Sequence, residues 1–426
     1  MNDSRPFSQK TTAILVLWFL GLSSWGVWRC QELGETPVLD EPQVVGQVNW
    51  WHEGRWELFR NPGFEYPAAA MFPGYQSVLW AVTRVSGISP SLANLRWLGL
   101  GFSLLLFLAL WLAATTRGLR HPGLRACQCW AIPVLFPFHF LAYTDGFSLL
   151  LNVAALCCLL RRRYTSMSFC SVGALACRQD NLMSMAFFVG VEPLRRWLSG
   201  DRRFDVFLRY ARRCWPAIAA FFAFTVFVLW HGRIGLDAPN QQPLSFGFGN
   251  VLMCVTYVGG LFLPLHLANV TSTWKWMTRH FWCAGAVLLI CVILALSFKA
   301  GHRWNAMDGF LRNELIELVT LNALTRFAWG VALAATLLSC WQIPLKLSVE
   351  DTPGQATATS LSVFGYWGMR LVPVLLIDPR YCIIPLVLWM VLRQEQKPSV
   401  EWSLLAYLSI VSMIVFWLIS DQRMML

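Results

Sequence analysis

The stretch Trp97–Thr115, WLGLGFSLLLFLALWLAAT, decides how the rest of the chain is read. It carries no charged residue, and about 20 predominantly apolar residues are what a helix needs to cross a bilayer. A second such run, TAILVLWFLGLSSWGVW over 12–28, follows a short polar start with Arg5 and Lys10. Trp28-Arg29-Cys30 offers no small-residue cleavage site, so this run reads as an uncleaved first span rather than a secretory signal. The same criterion marks spans near 11–29, 97–115, 126–142, 146–160, 164–178, 181–194, 215–230, 248–268, 281–298, 319–343, 358–376, 380–393 and 402–420. The stretch 76–92 has Arg84 in its middle and reads as a half-buried helix beside the membrane. The expected fold is therefore an all-α polytopic membrane protein of about 12–13 transmembrane helices, one integral-membrane domain over 1–426.

Composition agrees. The 426 residues hold 34 Lys+Arg and 23 Asp+Glu, a net charge of +11, yet only 13% are charged and 56% are hydrophobic. A soluble chain carries about 25% charged residues, so an ordinary soluble enzyme is excluded. The basic residues punctuate apolar runs instead of forming a water-facing patch, so the lipid bilayer is the expected partner and nucleic acid is not. The 23 Trp and 29 Phe suit membrane interfaces and helix packing. The 13 cysteines, including Cys127-Gln128-Cys129 and Cys157-Cys158, show no metal-type spacing. They read as small core hydrophobes.

Charge sets the threading. With the N-terminus cytoplasmic, the inside loops take Arg117, Arg120 and Arg125, then Arg161–Arg163, the basic run Arg195–Arg213, Lys275, Arg279, Lys346, Arg393 and Lys397. Most Lys and Arg fall there, as the positive-inside rule expects, and these arginines read as orientation signals without chemistry. The remaining polar groups gather on the opposite face: Asp40-Glu41, Tyr143-Thr144-Asp145, Arg178-Gln179-Asp180-Asn181, Arg233 to Asp237, His302-Arg303 and Asp378-Pro379-Arg380-Tyr381. Ionisable groups at helix ends on one face point to a shared polar cavity. The large first loop, 30–96, carries the Asp-Glu pair, then Val44, Val45, Val48 and Trp51 at amphipathic spacing for an interfacial helix. Two Pro-Gly turns follow, Asn61–Pro67 and Phe72-Pro73-Gly74-Tyr75.

These residues carry a resemblance. An Asp-Glu pair just after the first helix of a many-span chain resembles the C-type (GT-C) membrane glycosyltransferases that use polyprenyl-phosphate sugars. Asp40-Glu41 with Gln43, Phe72–Tyr75, Phe136-Pro137 with Tyr143–Asp145 and Ser148, Arg178–Asn181, Gly232–Asp237 and Arg380–Pro385 together resemble the dolichyl-phosphate-glucose α-1,2-glucosyltransferase family. The chain departs from that pattern at Asp180, where the family has Thr, and at Phe147, usually a small residue. It also lacks the His expected after Asp-Glu and keeps only a faint aromatic motif at Gly301–Trp304.

The resemblance implies an inverting transfer of a hexose, glucose by analogy, from a polyprenyl- or dolichyl-phosphate donor to a glycan or lipid-linked acceptor. Such a displacement needs a base for the acceptor hydroxyl and positive charge for the leaving phosphate. Asp40, with Glu41 sharing or orienting, is the expected base. Arg178 and Arg380 are the leading phosphate ligands, with Arg233 and His302 behind them. Asp145, Asn181, Gln179, Tyr66, Trp51 and Asp237 are expected to meet sugar or acceptor. No metal and no cofactor is expected. In a eukaryote the site would face the lumen of the endoplasmic reticulum, in a bacterium the periplasmic side of the inner membrane. Two other readings stay open on the residues alone: a transferase of mannose or arabinose lipids, and a transporter or flippase whose arginines bind an anionic cargo.

Overall fold

The computed structural model describes residues 9–38, 40–58, 71–201, 203–232, 236, 246–307, 309–374, 376–421 and 423. Among them all extended regular structure is helical. The helices are α1 (Gln9–Glu32), α2 (Glu41–His52), α3 (Gly74–Ser86), α4 (Leu92–Thr116), α5 (Pro122–Trp130) and α6 (Thr144–Leu160). They continue with α7 (Tyr164–Cys177), α8 (Asn181–Leu198), α9 (Phe204–Arg213), α10 (Trp215–His231), α11 (Gly249–Leu261) and α12 (Leu263–Arg279). The last six are α13 (Phe281–Ser297), α14 (Leu311–Thr320), α15 (Ala323–Trp341), α16 (Pro353–Leu371), α17 (Ile383–Leu392) and α18 (Pro398–Ser420). Short 3-10 turns lie at Phe136–His139, Arg303–Ala306 and Pro379–Cys382.

The polytopic all-α architecture stands. By length and hydropathy, α1, α4, α15 and α18 are each sufficient to cross a membrane; α9 with α10 and α11 with α12 qualify as pairs, bent by 73° and 93°. Of the other stretches read as spans, α6, α13 and Pro379–Leu392 are apolar but shorter. Two expected spans are interrupted. The run 126–142 is helical only to Trp130, because Pro133 and Pro137 lack the amide donor that a continuing helix needs. The run 248–268 breaks at Phe262, just before Pro264.

The irregular stretch 131–143 is buried throughout, the condition under which non-helical backbone is tolerated at membrane depth. It is pressed against α4 at Gly99, where a Cβ would stand 2.9 Å from the Leu141 carbonyl oxygen. Gly74 plays the same part where α3 meets the end of α7: a Cβ there would stand 2.5 Å from the Ala176 oxygen. The amphipathic reading of the first loop is realised as α2, whose Val44, Val48 and Trp51 face inward. α2 is tied to α3 by His52 Nε2 and Thr83 Oγ1 at 2.8 Å.

Ion pairs and hydrogen bonds fix which helix ends lie together. Trp18 bonds Ser409, and Arg29 pairs with Asp421, so α1 and α18 run parallel. The exit of α1, the starts of α4, α6 and α8, and the ends of α7 and α16 meet at one end of the bundle. The starts of α5 and α18, and the ends of α4 and α17, meet at the other.

Candidate functional site

Asp40 occupies the N-cap position of α2 but makes no side-chain cap bond; Pro42 opens the helix instead. The carboxylate is thereby free to turn toward the bundle. Its Oδ2 accepts from the Tyr143 hydroxyl at 2.5 Å and from Arg380 Nη1 at 2.6 Å. Tyr143 Oη in turn accepts from Arg380 Nη1 at 2.7 Å and from the Asp40 backbone N–H at 3.1 Å. Oδ1 has no protein partner among the described residues, and the side chain is 34% exposed. Asp40 thus presents one held oxygen and one open one.

Its neighbour Glu41 is in a different state. It is fully buried and grips Arg96 with both oxygens, at 2.9 and 2.6 Å. The same carboxylate accepts the backbone N–H groups of Val38 and Ala142, each at 2.8 Å. Arg96 also donates to the carbonyls of Gly34 and Thr36. Glu41 is therefore the staple that locks the first loop onto α4 and onto the 131–143 stretch, and every atom it would offer an acceptor is occupied.

Arg380 stands in the Pro379–Cys382 turn. Asp378 caps that turn by accepting the Arg380 N–H at 2.9 Å, and binds its guanidinium at 2.7 Å to Nε and 2.5 Å to Nη2. The Asp378 N–H is itself held by Asn250 Oδ1, and the preceding Ile377 N–H by Asn305 Oδ1. This two-pronged grip fixes one edge of the guanidinium and leaves Nη1 facing Asp40 and Tyr143.

The second half is built at the junction of α7 and α8. Arg178 pairs with Asp145 at 2.5 Å and with Asp180 at 3.3 Å, and lies over the Tyr381 ring at 5.9 Å. Asn181 is buried and spent on Ser148 Oγ, the Ala174 carbonyl and Asn152. Gln179 is half-buried beside them. Arg370, inside the run read as an apolar span, joins the halves: it reaches Asp180 Oδ2 at 2.7 Å and the Tyr381 carbonyl at 3.1 Å. Burial would push Asp180 up, but Arg178 and Arg370 hold it below its ordinary value. Asp378, likewise opposed by burial, is held low by Arg380. The cluster is charged and nearly self-neutral: Asp40, Asp145, Asp180 and Asp378 against Arg178, Arg370 and Arg380, with the buried Arg312 of α14 acting on Asp378 from behind.

The remaining expected residues fall elsewhere. His302 is buried and caps the Arg303–Ala306 turn by accepting the Trp304 N–H; its carbonyl accepts the Asn305 N–H, and Asn305 in turn holds the Ile377 N–H beside Asp378. Trp51 lies on the inner face of α2, its indole N–H without a partner among the described residues. Tyr66, Arg233 and Asp237 lie outside the described residues. Among the described residues no three His, Cys, Asp or Glu side chains are grouped to hold a metal. Three participants went unassigned in the sequence. Tyr143 was seen in the cluster without a role; Arg96 and Arg370 were hidden at the edge of and within apolar runs. A lone Arg in such a run requires a partner, and that was the available signal.

Known proteins resemble this chain. Residues 35–204 match the model of the DIE2/ALG10 family, a segment that includes Asp40, Tyr143, Asp145 and Arg178. A Dol-P-Glc:Glc(2)Man(9)GlcNAc(2)-PP-Dol alpha-1,2-glucosyltransferase of Debaryomyces hansenii is 24% identical over 295 residues, 63% of this chain and 63% of that protein. The protein of the same name from Candida albicans is 20% identical over 307 residues, 67% of this chain and 65% of its own. The chain thus spans less than two thirds of the length of either relative. No solved structure matches it. The family resemblance read from the residues is borne out by these matches.

Proposed function

We propose that the chain is an inverting glycosyltransferase that moves glucose from dolichyl- or polyprenyl-phosphate-glucose to a hydroxyl of a lipid-linked glycan, forming an α-1,2 linkage. The observation that carries this reading is the Asp40–Tyr143–Arg380 triangle: a half-open carboxylate and a guanidinium edge at one mouth, with Asp40 and Tyr143 inside the segment that matches the family.

The displacement uses each group once. The acceptor oxygen attacks the anomeric carbon; its proton passes to Asp40 Oδ1; the carbon–oxygen bond to phosphate breaks and the polyprenyl phosphate leaves with the electron pair. Arg380 offers that phosphate the charged N–H groups of Nη1, the corner of its guanidinium that Asp378 leaves open. Because the cluster is self-neutral, an arriving phosphate competes with a carboxylate for arginine. The Asp40–Arg380 contact is the one to yield, since those two side chains are the site's partly exposed pair, 34% and 19%. Phosphate binding at Nη1 then frees Asp40 as the acceptor arrives, while Tyr143 keeps it in place. Asp378 remains the fixed anchor of Arg380. Arg178, itself buried and held by the buried Asp145, supplies field rather than the first contact. Asp145, Gln179 and Asn181 support it, and Glu41 positions Asp40 through Arg96. The site faces the lumen of the endoplasmic reticulum in a eukaryotic host and the periplasmic side in a bacterium.

The test is transfer from dolichyl-phosphate-glucose by Asp40→Asn in the full-length protein. The amide keeps the shape and loses proton acceptance, so turnover should fall by about 10²- to 10⁴-fold with the unfolding midpoint retained. Asp40→Glu should keep part of the rate. Undiminished transfer by the Asn variant would sink the assignment, and a donor panel in which mannose or arabinose lipids outrun glucose would redirect the substrate.

A further inference from the structure

The helix α9 lies at the end of the bundle remote from Asp40 and takes no part in the proposed reaction. It ends at Arg213 and the chain turns by 73° into α10, an apolar helix with exposed Phe221, Phe222 and Leu229. A helix at that angle to a lipid-facing span lies close to the membrane plane. Its residues fall into three sectors at helical spacing. Phe207, Tyr210 and Cys214 face the protein: the Tyr210 ring stands 4.7 Å from that of Tyr164, and its hydroxyl donates to the Phe188 carbonyl. Phe204 and Leu208 form the next sector and are 78% and 43% exposed. The third sector is Asp205, Arg209, Arg212 and Arg213, all exposed.

An apolar edge flanked on one side by packed protein and on the other by arginines is the cross-section of a helix seated at a lipid interface. Charge selects the lipid. Arg209 pairs with Asp205 at 2.6 Å and Arg203 with Asp201 at 2.9 Å. Arg212 and Arg213 make no ion pair with a carboxylate among the described residues, nor do the exposed Arg162 and Arg163 next to them across the Thr165–Arg213 hydrogen bond. The rim therefore carries positive charge in excess of its own carboxylates, at headgroup height above an apolar edge.

We propose that α9 is an interfacial anchor that buries Phe204 and Leu208 among acyl chains and binds anionic phospholipid headgroups through Arg212 and Arg213, with Arg162 and Arg163 extending the site.

The experiment is backbone hydrogen–deuterium exchange of the full-length protein in nanodiscs of phosphatidylcholine alone and of a phosphatidylserine-rich mixture. Residues 204–213 should exchange more slowly in the anionic discs, by about fivefold for each arginine engaged, and high salt should erase the difference. R212Q/R213Q should abolish it while R212K/R213K retains it. F204S/L208S should speed exchange in both discs. Exchange over 398–420, unchanged throughout, certifies that each variant is folded. Equal exchange in the two compositions, or a difference that survives R212Q/R213Q, overturns the proposal; equal protection in both would mean that a protein surface covers the helix instead.

Discussion

Helix α17 has an arginine at each end, Arg380 just before it and Arg393 just after, and the two have opposite fates. Arg393 is fully buried and clamped by Glu401 at 2.6 and 2.8 Å and by Gln128 at 3.0 Å. Beside it, Arg117 is filled by the carbonyls of Lys346, Val391 and Arg393, and Arg125 by those of Met390 and Arg393. Arg393 and Arg125 share one carboxylate, Glu401, and backbone carbonyls hold Arg117. The sequence reads them as loop charges that orient the chain; the structure adds that they are buried and serve as interior struts. At the other end Arg178, Arg370 and Arg380 are held by four aspartates, and part of the network is open to solvent. The difference teaches what to look for: an arginine whose partners are all buried holds the fold, whereas one whose partner is a replaceable, partly exposed carboxylate can exchange that partner for a ligand.

The largest effect that would break this contrast is structural. Arg393→Ala leaves Glu401 buried with hydrogen bonds from Gln128 and Gln396 but, among the described residues, no ion pair closer than the 3.6 Å contact to Arg125, and removing one member of a buried pair costs about 3–5 kcal/mol. The unfolding midpoint in detergent should fall sharply. If the variant unfolds like the wild type, the saturated end is not a strut. Removing Arg380 also strands a buried carboxylate, Asp378, so the midpoint should fall there too; what sets that variant apart from Arg393→Ala is its loss of activity.

What was legible follows the same physics. Helix identity and the meeting of Asp40, Tyr143, Asp145, Arg178 and Arg380 were readable, because apolar length marks spans and ionisable groups at helix ends must find one another. The roles within the cluster were not. Asp40 and Glu41 are adjacent in sequence, yet the start of α2 sends one to the cavity mouth and the other to Arg96; no spacing rule separates them. Arg370 sits in an apolar run and needed Asp180, its partner across the α8–α16 packing, to be recognised. The breaks at Pro133 and Phe262 were signalled by proline, and apolar counting overrode the signal.

A smaller effect sharpens the open end. Tyr143→Phe removes the donor to Asp40 Oδ2 and the acceptor for both Arg380 and the Asp40 N–H. Hydrogen bonds to charged groups are worth about 1.5–3 kcal/mol, so the turnover number should fall roughly ten- to hundredfold. If Tyr143 holds Asp40 in place, the loss lies in kcat and the KM for donor moves little. A loss confined to KM would show instead that the hydroxyl contacts the phosphate.

The smallest effect is acid stability, where the two depressed carboxylates outnumber Asp145, which burial pushes up. Asp180 and Asp378 have folded pKa values below the ordinary value, burial being outweighed by Arg178, Arg370 and Arg380. The unfolded carboxylate titrates near about 3.9. A group with a depressed folded pKa contributes fully above the unfolded value, and that contribution is lost as pH falls through the folded one. The unfolding midpoint should therefore be level above about pH 5 and decline below about pH 4, each unit of depression being worth about 1.4 kcal/mol. Asp180→Asn should lower the plateau and make the decline shallower, because one titrating group is gone. A wild-type midpoint that rises on acidification would mean that these carboxylates are protonated in the folded protein, and a neutral Asp180 could not hold Arg178 and Arg370 as the charged wall of the site.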